Sequence, residues 1–450
     1  MFYSVGIDVS MGKSTIAIIS TDGEVISEPF EIEHTKSGFN LVLEKIKNIP
    51  KDNVKFVMES TGNYCKSLLK IIIDNGYFVT VENPLTIKKY CDINIRKVKT
   101  DKKDALKIAC YGSERWHRLI RYTPSDEIYS ELKFLSRQYD EQMSLKVMKK
   151  IHLSGLIEVT FPGLKKIFNG DSLYMLMLDI YKKYYHPSLV LSKSKSSFIK
   201  DVEKISKKTG HRIGMRVAEE MYSLANECIP PSPCNESTQL AVSNCVLLLQ
   251  NLEEITNNII AKMDELARKL PEFETISNMS GVGNKIRARL IAEIGDVRRF
   301  KNSNCLIAYA GIDVPPFQSG QFVATNRRIT KRGNKHLRKV GYETMKSLKT
   351  VKPIKDNAVY LFILKKEDEG KGSITAKIAG LNKFLRIYYA RVMEIYKNLE
   401  NTWLLNDYFG GKGEFYPFLH IFNKFNFLSK NTWFMLASFI ALQQNVPRIL

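Results

Sequence analysis

Over the first 125 residues the apolar positions come in short runs, and two of these flank Met11-Gly12. YSVGIDV and STIAIIST are rich in β-branched residues and predict a hairpin, to which GEVISEPFEI adds a third strand. The apolar spacing in GFNLVLEKIKNI is helical. After it come a strand in KFVMES, a helix in KSLLKIIIDNG, a strand in YFVTVEN and a helix that opens at Asp101.

From about 126 to 270 the pattern becomes helical throughout. Beyond the proline-rich break IPPSPCNES, Cys245, Leu252, Ile259 and Leu266 recur every seven residues. Leu249, Met263 and Leu270 fill the second seam, and Thr256 interrupts it. Two readings fit: a helix pair within one chain, or a dimerising coiled coil. Near 271 a further, mainly helical domain begins. In ISNMSGVGNKIRARLIAEIGD a Gly-Val-Gly turn separates two helical patterns, as in a helix-hairpin-helix, and an ordinary tight turn fits equally well. The pattern therefore predicts an α/β domain over 1–125, a helical or coiled-coil region over 126–270, a domain over 271–395 and an unassigned tail over 396–450. A three-strand meander followed by alternating helix and strand suits the RNase H-like (RuvC-like) kind of sheet, with its first strand in the middle.

Charge changes this picture. The chain of 450 residues carries a formal net charge of +21, which points to a polyanionic partner, and the setting of the basic residues favours nucleic acid over membrane. The seven cysteines form no CxxC pair and none has a histidine at zinc-finger spacing, so a reducing compartment with free thiols is expected. The start MFYSVGIDVS lacks the marks of a signal peptide, and no apolar run is long enough to span a bilayer. A cytoplasmic protein is expected.

Four carboxylates stand out: Asp8 in SVGIDVS, Glu59 in VKFVMESTG, and Asp101 and Asp104 in KTDKKDA. Acids at strand ends and a helix start can converge on Mg²⁺, which takes hard oxygen ligands and leaves positions open for water and phosphate. The bland alternative is surface acids and a helix cap at Thr100 or Asp101. Against it, a carboxylate in the apolar strand around Asp8 is costly unless a cation meets it. Lys97, Lys99, Lys102 and Lys103 crowd the third acidic island and suit a passing phosphate backbone. The Gly-Lys-Ser of GIDVSMGKST has the wrong spacing for a P-loop and precedes a strand rather than a helix. Between Val314 and Tyr342 there is no acid, while Arg327, Arg328, Lys331, Arg332, Lys335 and Arg338 are all basic. Ser319-Gly320 lies upstream of this run. A serine attacking a phosphodiester needs such cations beside it, but spacing alone leaves Ser319 a turn residue. Gly281, Gly283 and Lys285 complete the candidate nucleic-acid contacts.

In order, GIDVS, ESTGNY, KTDKKDA, GVGNKIRARLIAEIGD, AYAGIDVPPFQSG and ITKRGN resemble the DEDD-type insertion-sequence transposases, a family that includes the pilin-gene invertases. The resemblance covers the first domain and about 271–395. It implies a RuvC-like nuclease domain whose Asp8, Glu59, Asp101 and Asp104 bind Mg²⁺. It also implies a catalytic serine, best matched by Ser319, that attacks DNA to give a phosphoserine link. The active centre would join domains of two subunits of a dimer or tetramer, and an element-encoded guide RNA would supply target and donor sequence. The segment around 151–235 is longer than the family pattern, and the tail beyond 400 does not match it. A junction endonuclease hydrolysing DNA with water uses the same acids without Ser319. A non-catalytic nucleic-acid-binding protein needs neither.

Overall fold

The computed structural model describes residues 1–450 apart from 61, 63, 92–99, 125, 169–172, 316–317, 320–321, 324–327 and 410–450. It forms two compact units, Met1–Pro124 and Ser125–Leu450.

The first unit contains β1 (Tyr3–Val9), β2 (Lys13–Ser20), β3 (Val25–Glu33), α1 (Lys36–Ile46), β4 (Val54–Glu59), α2 (Lys66–Asp74), β5 (Phe78–Glu82), α3 (Pro84–Cys91) and α4 (Asp101–Glu114). Its five strands lie in the order β3-β2-β1-β4-β5. The meander β1-β2-β3 is antiparallel, whereas β4 runs parallel to β1 and β5 parallel to β4. Each parallel step therefore needs a helix to carry the chain back. Val5, Ile7, Phe56 and Met58 alternate onto one face, where Phe39 and Val42 of α1 and Leu68 and Ile72 of α2 cover them. The other face receives α4 through Ala105 and Ala109. The predicted strands and helices all form; α3, from NPLTIKKYC, was not anticipated.

The second unit begins with α5 (Glu127–Thr160), followed by α6 (Tyr174–Lys183), α7 (Pro187–Leu191), α8 (Lys195–Lys208) and α9 (Gly214–Glu227). Then come α10 (Glu236–Ala267), α11 (Phe273–Ser277), α12 (Asn284–Ile294), α13 (Ser303–Ala310), β6 (Gln318–Ser319) and β7 (Phe322–Val323). Helices α14 (Lys335–Val351), α15 (Ala358–Asp368) and α16 (Ser373–Phe409) complete it. Asn235 opens α10 with a reciprocal capping box to Thr238.

The heptad stripe of α10 is covered within the chain by α5. Cys245, Leu249, Leu252, Met263 and Leu266 are buried, and Thr256 satisfies its hydroxyl by donating to the Leu252 carbonyl at 2.8 Å. Of the two readings of that stripe, the helix pair within one chain is the one found. One end of the α5–α10 pair enters a core with α11–α16, and the other enters a separate core with α6–α9. Helix α16 crosses the expected boundary at 395/396, and the tail from 410 lies outside the described residues. No helix among the described residues is long and apolar enough to cross a membrane.

Candidate functional site

The carboxylates are placed by the seating of one helix on the sheet. Helix α4 lies so close to β1 that a Cβ on Gly6 would fall 2.3 Å from the Ala109 amide nitrogen and 2.5 Å from the Ala105 carbonyl oxygen. At the other end of the helix, a Cβ on Gly112 would meet the Ser4 hydroxyl and the Val57 side chain. So α4 runs antiparallel to β1, with its C-terminal part over Ser4 and its first turn toward Asp8. Ser4, Gly6 and Asp8 share one face of β1, as Val57 and Glu59 do on β4, because strand side chains alternate. The register Ile7↔Met58 makes Asp8 and Glu59 the next residues on two parallel strands, whose backbones lie roughly 5 Å apart. Both side chains are partly buried and both make contacts with the protein.

Thr100 caps α4, accepting from the Lys103 amide at 3.3 Å, so of the two residues weighed as a helix cap, Thr100 or Asp101, it is Thr100 that caps. It leaves Asp101 and Asp104 in the first turn, on the stripe that continues through Ala105 and Ile108 to the sheet. Asp101 is exposed, and its charge is felt by Lys13 at the start of β2. The Lys13 ammonium is held above its ordinary pKa first by a hydrogen bond to Glu31 and then by the Glu31 and Asp101 charges. Asp104 is ion-paired to Lys107 at 2.9 Å. The four acids thus gather at one end of one sheet face. Among the described residues, however, no group of three or more His, Cys, Asp or Glu is arranged to hold a metal ion. The donor set is all carboxylate oxygen, which fits Mg²⁺ in kind. Lys102 and Lys103 are exposed on the same turn; Lys97 and Lys99 lie outside the described residues.

In the second unit, Ser319 ends β6 and pairs with Phe322 of β7 in a short antiparallel hairpin. The base of the segment holding this hairpin is closed by main-chain bonds. Thr330 N–H donates to the Asp313 carbonyl at 3.1 Å, Lys331 N–H to Gly311 at 3.0 Å and Asn334 N–H to Tyr309 at 2.6 Å. Arg328, Lys331, Arg332 and Lys335 are exposed in and around that closure, with no ion pair among the described residues; Arg327 lies outside them. Arg338 differs from the expectation of a phosphate contact. It is partly buried, and its guanidinium Nη1 donates to the carbonyls of Ala310 at 2.9 Å and Gly333 at 3.0 Å, fastening the segment to α14. Burial lowers its pKa from the usual arginine value.

Gly281 is likewise a packing residue. It is buried with φ +84°, and a Cβ there would stand 2.9 Å from that of Leu348. Gly283 and Lys285, in contrast, are exposed at the start of α12.

Sequence reading missed the buried charges that hold this unit together. Glu293 of α12, 1% exposed, accepts from Ser136 at 2.7 Å, Arg137 at 3.0 Å and Asn334 at 2.9 Å. Asn334 in turn caps α14, accepting from the His336 and Leu337 amides. Asp140 of α5 accepts from His336 Nδ1, from Lys339 at 2.7 Å and from buried Arg289 at 3.5 Å. Arg289 also donates to Glu343 at 2.6 Å and lies 4.6 Å over the Tyr139 ring. Asp140, Ser144, Lys335, His336 and Lys339 help line an open depression of about 350 Å³ between α5 and the start of α14. Farther along, Tyr129 and Tyr396 donate to the two oxygens of buried Glu272 at 2.6 and 2.7 Å. Burial first, and the Glu272 charge beside it, push the Tyr129 hydroxyl far above its ordinary pKa, so it stays a donor. The available signal was two charges, Arg289 and Glu293, four residues apart inside the apolar pattern of α12.

A transposase family model of the DEDD, IS110 type matches residues 5–162, which hold all four carboxylates. A second model, of the transposase IS116/IS110/IS902 family, matches 273–359, the span of the hairpin and the basic residues. The chain is also similar to the 43.6 kDa protein of insertion element IS110 from Streptomyces coelicolor. The two are 21% identical over 272 residues, 60% of this chain and 66% of that one. It is 22% identical over 378 residues to the 44.8 kDa protein of insertion element IS116 from Streptomyces clavuligerus, 81% of this chain and 88% of that one. With its two characteristic segments matched in order, the chain belongs to the DEDD-type insertion-sequence transposases.

Proposed function

We propose that the protein moves an insertion sequence by cutting DNA and rejoining it, with carboxylate-held Mg²⁺ and Ser319 as the nucleophile. The observation that carries this reading is the seating of α4 through Gly6, which turns Asp8, Glu59 and the acidic first turn of the helix toward one end of one sheet face. The strand order, with β1 central and the first acid on it, supports an RNase H-like domain. Bound Mg²⁺ would supply Lewis-acid stabilisation of charge developing on the phosphate oxygens.

In this reading the chain's own residues divide the work. Asp8, Glu59, Asp101 and Asp104 offer the oxygen ligands. Lys102 and Lys103 hold the phosphate backbone beside them. Ser319 attacks phosphorus through its hydroxyl oxygen, forming a serine–phosphate ester while the bond to the departing strand oxygen breaks. Arg328, Lys331, Arg332 and Lys335 offset the charge of the DNA backbone. The exposed Gly283 and Lys285 at the start of α12 add a further phosphate contact of the helix-hairpin-helix kind. A guide RNA and a homo-oligomeric assembly complete the reading on the family resemblance and the strongly basic chain.

Trapping on nicked suicide duplexes tests it. The expected result is a covalent protein–DNA adduct that is lost in Ser319→Ala. Cleavage without an adduct, or an undiminished Ser319→Ala, would instead establish the water-using junction endonuclease. Discrete RNA copurifying with the protein is the expected sign of the guide.

A further inference from the structure

Residues 163–272 lie between the two segments matched by the transposase models, and they include a strongly basic stretch. From 182 to 216 there are ten lysines and arginines against two acids, Asp201 and Glu203. We propose that helix α8 is a docking face for the phosphate backbone of duplex DNA, centred on Lys200, Lys204 and Lys207.

The face follows from the helix itself. Phe198 and Val202 are fully buried, with Ile205 packed beside them, and they turn α8 onto the α6–α9 core. Lys200, Lys204 and Lys207, at i, i+4 and i+7, occupy the opposite side and are all exposed. They make a straight row about 10 Å long at 1.5 Å rise per residue. Exposed Lys195, Lys208 and Arg212 extend it at both ends.

The acids do not neutralise the row. Asp201 is committed elsewhere, accepting from Lys193, from the Tyr184 hydroxyl at 2.7 Å and from Lys183 at 3.1 Å. No ion pair joins Glu203 to the row among the described residues, so the three ammonium groups stand toward solvent without a carboxylate partner.

The chemistry of the face selects its occupant. A membrane-surface helix needs an apolar side to insert, and the apolar side of α8 is already buried in its own core. Unpaired bases of single strands or RNA loops are held by stacking on exposed aromatic rings, and the row carries none. Lys200, Lys204 and Lys207 themselves offer none of the Arg, Asn and Gln forks that read base edges. What remains is a rigid line of point charges suited to the regular, sequence-independent backbone of a duplex.

This inference rests on the DNA-acting reading above, and the test separates the two. Binding of the full chain to two unrelated labelled duplexes is measured by fluorescence anisotropy across a salt series. The parent is compared with the triple variant Lys200→Ala, Lys204→Ala, Lys207→Ala. The expected result is an equal loss of affinity for both duplexes, with the slope of log K against log salt shallower by about 2.7, at roughly 0.9 per phosphate contact. A folded RNA hairpin should lose less. Lys262→Ala, which removes a lysine already paired with Glu265 at 2.9 Å, should leave the slope unchanged. An unaltered slope in the triple variant, or a larger loss for the hairpin than for the duplexes, overturns the docking face while leaving the transposase reading intact. A parent protein that binds no duplex overturns both.

Discussion

Gly6 of β1 and Ala109 of α4 meet backbone to backbone, with room between them for a hydrogen but not for a methyl group. Any side chain at position 6 must therefore push α4 off the sheet, and with it the first turn that carries Asp101 and Asp104.

Gly6→Val should destabilise the first unit by about 3 kcal/mol or more, since the obstructing atoms are main chain and cannot rotate away. Urea unfolding followed by circular dichroism measures it. DNA cutting should fall further than the folded fraction does, because the displaced helix carries two of the acids. A midpoint equal to that of the parent would show that α4 is not seated through this contact.

Asp8→Asn and Asp104→Asn should each lower strand transfer by about 100-fold or more while leaving salt-sensitive DNA binding unchanged. Chelation with EDTA should do the same reversibly, with activity restored by Mg²⁺. Because Asp104 is also paired with Lys107, Lys107→Ala serves as the control. It removes a partly exposed ion pair worth no more than about 1 kcal/mol and should keep its activity. Strand transfer retained in either carboxylate variant would remove that acid from the ligand set.

Asp201 should make the stability of the α6–α9 core depend on pH. The hydrogen bonds from Lys193, Tyr184 and Lys183, in that order of effect, hold its carboxyl well below the ordinary value of 3.8. A carboxyl depressed on folding stabilises the folded state above its unfolded pKa, and that contribution is lost as pH falls through the folded value. Asp201→Asn should thus cost about 1–2 kcal/mol at pH 7, with the difference from the parent shrinking as pH drops below about 4. Paired denaturant melts at pH 7 and pH 3 check this; a difference that persists unchanged at low pH would show that the ionised carboxylate is not the cause.

Much of the first unit was legible in the chain because its information is local. Runs such as YSVGIDV and KSLLKIIIDNG state their own periodicity, and Thr100 caps α4 with an atom three residues from its donor. The α10 stripe was equally plain, but which surface covered it was not. A heptad records that one face is apolar and is silent on whether the covering helix is α5 or a second chain.

The site divides in the same way. Residue type and order alone marked Asp8, Glu59, Asp101 and Asp104, placed Ser319 beside a turn and exposed the acid-free basic run; together with the matched segments they determined the family. Tertiary structure decided which charges face outward. Arg338 lies in that basic run, yet it turns inward to the carbonyls of Ala310 and Gly333. Arg289 and Glu293 sit in the helix that follows the Gly-Val-Gly turn and are buried at the junction of α5, α12 and α14. The partners of Glu293 lie 156 and 41 residues away in sequence, at Arg137 and Asn334. A buried charge is tolerable only where such partners converge on it, and their convergence comes from the packing of distant helices, which no local pattern encodes.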